Sequence, residues 1–376
     1  MKWRNCRLGD VLTLKRGHDL PSDSRHEGDI PVVSSSGITG FHSEAKAKAP
    51  GVVTGRYGTL GEVFYLEQDY WPLNTALYVV DFKGTHSRFA AYFLRNVLRD
   101  YQSDKAAVPG VDRNVLHEIK VRVPDTKGQE NIADVLSAYD ALLENNRRRM
   151  ELLEEAARLL YREWFVRLRF PGHEHTQLFN GIPEGWDRGC VSDFYDTASG
   201  GTPSRTNPDF FTGETPWVKT QELLNGFVTD TDEKITKDAL GKSAAKLFPE
   251  RTVLVAMYGA TIGQIGIIAM PAASNQACCA IMPSDARSSF IHAFLFFLEN
   301  KEKLVGLSMG AAQNNINQQI IRSYPMAMPS PRLMDFFYDT LRPFFDQFLN
   351  LQRQNQKLRA ARDLLLPHLM SGELAV

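Results

Sequence analysis

Two stretches of the chain resemble each other: "GRYGTLGEVFYLEQDYWPLNTAL", from Gly55 to Leu77, and "AMYGATIGQIGIIAMPAASNQAC", from Ala256 to Cys278. Each contains Tyr-Gly, a second glycine three or four residues later, an aliphatic run and then Asn-x-Ala. Self-similarity at a fixed distance is the signature of a repeated structural unit. The two stretches therefore predict a structural unit that occurs twice in the chain.

The similarity extends to both sides of these stretches. "GDIPVVSSSGI" from Gly28 corresponds to "GETPWVKTQEL" from Gly213, and "VPGVDRNVLHEIKVRVP" ending at Pro124 corresponds to "QNNINQQIIRSYPMAMP" ending at Pro329. Between these landmarks, short β-type runs are punctuated by Gly, Pro, Ser and Asn, and a helical piece precedes the last run of each repeat. This pattern predicts two α/β domains, which we place at residues 1–124 and 172–330.

A 4-3 spacing of apolar residues follows each domain, in segments 125–171 and 331–376. The seam of the first segment consists of Ile132, Leu136, Tyr139, Leu143, Asn146, Met150, Leu153, Ala157, Leu160 and Trp164. A constant shift of 205 residues gives the second seam: Phe337, Leu341, Phe344, Phe348, Leu351, Asn355, Leu358, Arg362, Leu365 and Leu369. One inserted residue would rotate a seam by about 100°. The preserved register therefore predicts two long helices that pack on each other.

The order domain, helix, domain, helix defines the predicted fold class. We expect an α/β protein with two globular domains in tandem repeat, separated by helices that form an antiparallel coiled coil with pseudo-two-fold symmetry. For either stripe alone, a helix packed on its own domain is the alternative. Asn146 and Asn355 are either register-setting or solvated polar positions, and Pro343 should kink or restart the second helix. A helix of about 35 residues is roughly 50 Å long, the length of about 15 base pairs of duplex DNA.

Composition limits the class of protein. A chain of 376 residues with 43% apolar content is too long for one ordinary core. Its net charge of -1 argues against a free-standing nucleic-acid binder. The start "MKWRNCRLGD" lacks the apolar region of a secretory signal, and no apolar run is long enough for a membrane span. The four cysteines form no CxxC pair, and His173-Glu174-His175 has no third ligand, so we expect a cytoplasmic protein without a metal site.

Several motifs occur in an order that is specific for one family. They are "SGGTPSRTNPDFFTGETPWVKTQEL" (Ser199 to Leu223), "MYGATIGQIGI" (Met257 to Ile267), "NQA" (Asn275 to Ala277) and "LRAARDLLLPHLMSGEL" (Leu358 to Leu374). Together with the duplication, they resemble the specificity subunit of type I restriction-modification systems over essentially the whole chain. The first repeat is shorter and lacks the Thr-Pro-Ser loop, of which it keeps only "LKRGHDLPS" (Leu14 to Ser22).

The resemblance implies a non-catalytic reader of double-stranded DNA. In such subunits each target recognition domain reads one half of an asymmetric bipartite site, and the helices set the spacer and dock two methyltransferase subunits. Those partners bring S-adenosylmethionine and methylate adenine at N6. Restriction and translocase subunits, in systems that have them, add ATP- and Mg-dependent cleavage. No cofactor is expected on this chain itself.

Two other functions are alternatives to this one. An adenine methyltransferase with its own recognition domain would need a Rossmann-like half; "NPDF" (Asn207 to Phe210) lacks the second proline of the catalytic Asn-Pro-Pro-Phe turn, and no glycine-rich cofactor loop precedes it. A coiled-coil adaptor without a DNA role is the other alternative. It predicts that loop substitutions leave DNA affinity unchanged.

Candidate DNA-binding residues follow from the chemistry of groove recognition. Bases are read by fork-shaped donors and amides, and phosphates by hydroxyls, cations and backbone N–H groups. In the first repeat the candidates are Lys15, Arg16, His18, Ser34, Ser35, Ser36, Arg56, Tyr57 and Arg113. In the second they are Thr202, Ser204, Arg205, Lys219, Thr220, Gln221, Tyr258, Gln313 and Asn314. For each of them a solvated loop residue is the alternative. Asn74 and Asn275 are either DNA-facing amides or buried turn ties.

Overall fold

The computed structural model describes residues 1–56, 61–99, 112–307 and 315–376. The chain packs as two compact units, one formed by 1–144 with 356–376 and the other by 145–355. Each unit contains one α/β domain and a part of both long helices. Both helices therefore cross from one unit into the other along the sequence.

The first domain is built from short strands and helices. Its strands are β1 (Trp3–Arg7), β2 (Thr13–Arg16), β3 (Ile30–Ser34), β4 (Gly37–His42), β5 (Gly51–Gly55), β6 (Val63–Leu66), β7 (Trp71–Pro72), β8 (Ala76–Asp81) and β9 (Lys120–Pro124). Its helices are α1 (Ser87–Arg99) and α2 (Arg113–Glu118), and the long helix α3 (Thr126–Tyr161) follows. Hydrogen bonds join the strands in the orders β2-β8-β5-β6, β4-β3-β7 and β1-β9.

Apolar side chains of the first unit pack between sheet and helices. Leu14 and Val52 of the strands, Phe89 and Leu94 of α1, and Ile132 of α3 belong to one buried cluster. β5 is buried at every position, as expected of an internal strand between β8 and β6. The long helix therefore completes the core of this unit.

The second domain repeats this plan with additions. Its strands are β10 (Leu178–Phe179), β11 (Ile182–Pro183), β12 (Asp187–Cys190), β13 (Tyr195–Ser199), β14 (Thr215–Val218), β15 (Gly226–Val228), β16 (Lys234–Ile235), β17 (Leu247–Phe248), β18 (Val253–Ala256), β19 (Ile265–Ile268), β20 (Ala272–Ser274), β21 (Cys278–Pro283) and β22 (Pro325–Met328). Its helices are α4 (Val191–Phe194), α5 (Lys237–Gly241), α6 (Phe290–Gly306) and α7 (Gln318–Arg322), followed by the long helix α8 (Pro331–Ser371). The sheet orders are β13-β21-β18-β19-β15, β16-β14-β20-β17 and β12-β22.

Helices of the second domain begin at capping residues that the sequence supplies. Ser289 accepts a hydrogen bond from the backbone N–H of His292 at the start of α6, and Asn317 accepts one from Ile320 at the start of α7. α6 then buries its phenylalanines against the sheet. The predicted mixed α/β class with two tandem domains is confirmed.

Both long helices pair antiparallel inside each unit. In the second unit Asn146 contacts Asn355. The ring of Trp164, 18 residues further along the chain in the π-helical turn that follows α3, lies 5.5 Å from that of Phe337, which is 18 residues back along α8. In the first unit Asp140 accepts from Arg362 at 2.6 Å, and the side chain of Asn131 donates to the carbonyl oxygen of Val376 at 3.2 Å. The predicted antiparallel packing of the two helices is confirmed within each unit.

Seam residues of both helices are buried or half-buried. Ile132, Leu136, Leu341 and Leu369 are fully buried, while others, including Leu143, Met150, Leu153, Leu160, Phe348, Leu358 and Leu365, are partly covered. Of the two effects expected of Pro343, the restart is wrong, because α8 continues from Pro331 to Ser371, and the kink stays a prediction. Proline has no backbone N–H, so the carbonyl of Asp339 lacks its usual helical donor at position 343. Asp339 and Pro343 are both exposed, so water can donate to that carbonyl instead. Among the described residues, no helix combines the length and apolar character needed to cross a bilayer.

Candidate nucleic-acid interface

Equivalent backbone hydrogen bonds match the two domains residue by residue. The N–H of Leu73 donates to the carbonyl of Val33 at 2.8 Å, and the N–H of Asn275 donates to that of Val218 at 2.9 Å. β3 and β7 pair in parallel, as do β14 and β20. Leu73 therefore occupies the place of Asn275. The sequence match of the two Asn-x-Ala triplets is wrong by one residue, because the first domain makes this backbone bond at the residue before the asparagine of its triplet.

Cationic and ring groups of the first domain gather where β2 ends. Lys15 and Arg16 are exposed on β2. The His18 imidazole lies 3.2 Å from the Tyr78 hydroxyl, and burial lowers its pKa, assisted by the positive charges of Lys15 and Lys46. His18 is therefore neutral near pH 7, so it can exchange a hydrogen bond but does not add a cation.

Serines of the first domain form the turn between β3 and β4. The Ser34 hydroxyl is buried and donates to the carbonyl of Gly37 at 3.2 Å, and it accepts from the N–H of Ser36 at 3.1 Å. Ser35 is half-buried and Ser36 is exposed. The turn is thus stabilised by Ser34, and the side chain that it presents to solvent is that of Ser36.

Other candidates of the first domain lie apart in sequence. Arg56 is half-buried directly after β5, and its N–H donates to the carbonyl of Thr75 at 3.0 Å. Arg113 is exposed at the first position of α2. Tyr57 lies outside the described residues.

An ion-pair network organises the cations of the second domain. The Arg205 guanidinium donates from its two terminal nitrogens to the carboxylate of Glu233 at 2.6 and 3.2 Å. Its carbon lies 4.1 Å from the ring centroid of Phe211 and 5.1 Å from that of Trp217. A guanidinium has five N–H donors, so this bidentate pair leaves donors for a phosphate or a base.

Lys219 shares the same carboxylate. Its Nζ lies 3.1 Å from Glu233 and 3.7 Å from Asp232, and only 16% of its side chain is exposed. The hydrogen bond to Glu233 raises the pKa of Lys219, and the bond from Arg205 lowers the pKa of Glu233. Arg205, Lys219 and Glu233 are therefore charged at neutral pH and sum to one net positive charge, and the Asp232 carboxylate lies beside them. After Lys219, Thr220 is half-buried and Gln221 is exposed in one turn of 3-10 helix.

Hydroxyl groups line the loop after β13. Thr202 donates to the side-chain oxygen of Gln276, and the hydroxyl of Ser204 lies 2.8 Å from that of Thr206. Ser204 is exposed and Thr202 is half-buried. This loop presents oxygen donors beside the exposed amide of Gln276.

A surface cleft of the second domain contains Tyr258. Its other lining residues include Ser199, Asn317, Gln318 and Arg322. The Gln318 amide bridges to Ser199 and Thr197, because it accepts from the Ser199 hydroxyl at 2.9 Å and donates to the Thr197 carbonyl at 2.9 Å. The candidates Gln313 and Asn314 lie outside the described residues.

Sequence reasoning missed two residues of this surface, Glu233 and Gln276. Glu233 lies 28 residues from Arg205 in the sequence, and no local sequence pattern predicts that the two residues pair. The Asn-x-Ala match places Asn275 opposite Asn74, whereas the backbone hydrogen bonds place Gln276 there. In the described residues, no group of three or more His, Cys, Asp or Glu side chains is arranged to hold a metal ion.

These features define a class: a tandem pair of α/β domains with polar, partly cationic loops and two long antiparallel helices. The family model "Type I restriction modification DNA specificity domain" matches residues 1–155 and 183–358. The chain therefore belongs to this family, and it is a specificity subunit of the type I restriction-modification kind.

Relatives with curated names agree. The chain is 26% identical over 305 residues to the "Type I restriction enzyme MjaIX specificity subunit" of Methanocaldococcus jannaschii, covering 78% of this chain and 70% of that protein. It is 22% identical over 335 residues to the "Type I restriction enzyme HindI specificity subunit" of Haemophilus influenzae, covering 73% of each. The crystal structure of a type I restriction-modification S subunit from M. genitalium has the same fold, with a TM-score of 0.65, 14% identity, and coverage of 98% of this chain and 96% of that one.

Proposed function

We propose that the two domains are target recognition domains, each of which reads one half of an asymmetric bipartite site in double-stranded DNA. The observation that carries the proposal is a shared backbone with different side chains. The same backbone hydrogen bonds are made at Leu73 and Asn275, whereas the arginines stand at different places: Arg16 is the last residue of β2, and Arg205 lies in the loop after β13. A shared frame with different donors is what reading two unlike half-sites requires.

The long helices set the spacer between the half-sites and dock two methyltransferase subunits. Support comes from apolar side chains that the helix pair leaves uncovered. Leu152, Leu159 and Val166 follow each other at intervals of seven residues and are 65%, 49% and 55% exposed. Residues seven apart lie on one face of a helix, so these side chains offer an apolar stripe on which a partner can pack. Leu364 on α8 is likewise 66% exposed.

Catalysis resides in the partners under this proposal. The methyltransferase subunits bind S-adenosylmethionine and methylate adenine at N6, and restriction subunits, where the system has them, use ATP and Mg. This chain supplies recognition in the cytoplasm and binds none of these cofactors. Labelled S-adenosylmethionine should crosslink to the methyltransferase in the assembled complex and not to this chain; labelling of this chain would favour the methyltransferase alternative.

An exchange of one domain tests independent reading. Residues 1–124 are replaced by the first domain of another specificity subunit, and the methylated motif is mapped with the same methyltransferase. One half-site should change and the other should stay. A change in both half-sites would contradict independent reading.

A further inference from the structure

Glycine residues bring a loop and a turn into close contact at the same place in both domains. A Cβ at Gly17 would lie 2.2 Å from the carbonyl oxygen of Leu73, and a Cβ at Gly200 would lie 2.2 Å from that of Asn275. No side chain fits at either glycine. Because Leu73 and Asn275 are equivalent, the loops after β2 and β13 meet the same turn in the same way.

Side chains next to this contact form one polar pair in each domain. Asn74, the residue after Leu73, donates from its amide nitrogen to the carboxylate of Asp19. Gln276, the residue after Asn275, accepts from the hydroxyl of Thr202. Asp19 and Thr202 each come two residues after the packed glycine. The two pairs are therefore equivalent in position, although all four residue types differ.

The two pairs leave different groups of each amide available. A carboxylate only accepts, so Asn74 must turn its amide nitrogen toward Asp19, which leaves its carbonyl oxygen and second N–H for another partner. Gln276 meets Thr202 with its carbonyl oxygen, which leaves its two N–H donors. Gln276 is exposed and Asn74 is half-buried beside the exposed Asp19.

A side-chain pair that only stabilised the turn would not need different residue types in the two domains. The backbone bonds and the packed glycine already fix the turn in both domains. Asn74, with a carbonyl acceptor and one N–H left, can pair with the major-groove edge of adenine, and Gln276 can offer its N–H donors to a base acceptor such as N7 or O6 of guanine. Arg16 lies next to Asn74, with its Nε 3.3 Å from the Asn74 backbone oxygen, so a cation for a nearby phosphate is in place.

We propose that Asn74 and Gln276 are equivalent base-reading amides, one in each domain, oriented by Asp19 and Thr202. The inference rests on the proposed function, and it adds the positions at which the two half-sites are distinguished. The first domain presents a carbonyl acceptor together with one N–H, and the second presents two N–H donors.

Asn74→Ala and Gln276→Ala test the proposal in the complex with the methyltransferase subunits, with methylated motifs mapped on randomised DNA. Asn74→Ala should relax the base preference at one position of one half-site, and Gln276→Ala should do so in the other half-site only. Methylation of the original site should fall about 5- to 150-fold in each case, the value of one bidentate contact. Gln68→Ala and Gln177→Ala, which remove exposed amides elsewhere in the two units, are the matched controls and should keep the motif.

Gln276→Glu distinguishes a loss of base reading from misfolding, because it predicts a changed base preference and not only a loss of activity. It keeps the size of the side chain and replaces donors by acceptors, so the preference at the affected position should move toward cytosine. Full methylation of an unchanged motif by Asn74→Ala and Gln276→Ala would overturn the inference while leaving the proposed function intact. A wild-type complex that methylates no bipartite motif would overturn both.

Discussion

The side-chain amide of Asn146 donates to the side-chain oxygen of Asn355 at 2.9 Å, across the seam of the two long helices in the second unit. Both residues are more than nine-tenths buried. A buried amide pair is satisfied only when the two helices are in this register, because a slip in either direction leaves polar groups without partners. The pair therefore helps to fix the alignment of the helices.

A double-mutant cycle measures this contribution. Asn146→Leu should lower the free energy of unfolding by about 1–3 kcal/mol, because Asn355 is then buried without its partner. The double variant Asn146→Leu with Asn355→Leu should recover most of that loss, since two apolar residues pack without desolvating an amide. Urea unfolding of the three variants checks the prediction, and simple additivity of the two single losses would contradict it.

Lengthening both helices by one heptad tests their role as a spacer. Seven residues are inserted between Glu144 and Asn145 and seven between Asn355 and Gln356, where the chain passes from one unit to the other. Each helix grows by about 10 Å, which corresponds to about 3 base pairs. The methylated motif should gain that many base pairs in its spacer and keep both half-sites. An unchanged spacer in an active complex would contradict the proposed role, and three-residue insertions, which rotate the seams, are the control expected to abolish activity.

Glu233 should restrain the cations of the second domain. Glu233→Gln removes the charge that holds Arg205 and Lys219, so both cations become available to any phosphate. DNA binding by the complex should become steeper in salt, by about 0.9 in the log–log slope for each additional phosphate that these cations neutralise, and the preference for the cognate half-site should fall. Fluorescence anisotropy over a salt series measures both effects. Asp232→Asn, at the more distant and largely exposed neighbour, should change them little, and an equal effect of the two variants would argue against the restraint.

His292 should make the second unit sensitive to acid. Burial lowers its pKa to about 3, and its imidazole lies 2.9 Å from the Tyr195 hydroxyl. In the unfolded chain this histidine binds a proton near pH 6.5, and in the folded chain it does not. Its contribution to the free energy of unfolding is therefore fully present above pH 6.5 and falls by about 1.4 kcal/mol per pH unit between 6.5 and 3. His292→Phe should flatten this dependence between pH 7 and pH 5 in urea unfolding. The exposed His175→Gln is the control, and parallel curves for wild type and His292→Phe would refute the assignment.

Periodic features of the fold could be predicted from the sequence. The duplicated Tyr-Gly stretches and the constant shift between seams are long patterns, so chance matches are rare and one error does not erase them. Pro343 shows the limit of a local rule, since an exposed position lets water replace the lost hydrogen bond. The proline penalty is real, but the packing of a 41-residue helix outweighs a restart.

Individual site contacts could not be predicted in the same way. Arg205 and Lys219 were expected from their residue types, whereas their partner Glu233 comes from another strand connection and is brought near only by tertiary packing. Ser34 looked like a polar loop residue, yet its hydroxyl is used within the turn. The Asn-x-Ala match is wrong because it aligns residue types. The backbone hydrogen bonds of Leu73 and Asn275 show which positions of the two domains are equivalent.

Methylation mapping in cells is the decisive test of DNA reading by this chain. Plasmid DNA from cells that express this chain with its methyltransferase partner is compared with DNA from cells that express the methyltransferase alone. We expect N6-methyladenine at one interrupted, asymmetric motif, present only when this chain is expressed. No new motif from a complex shown to be assembled and supplied with S-adenosylmethionine would contradict it.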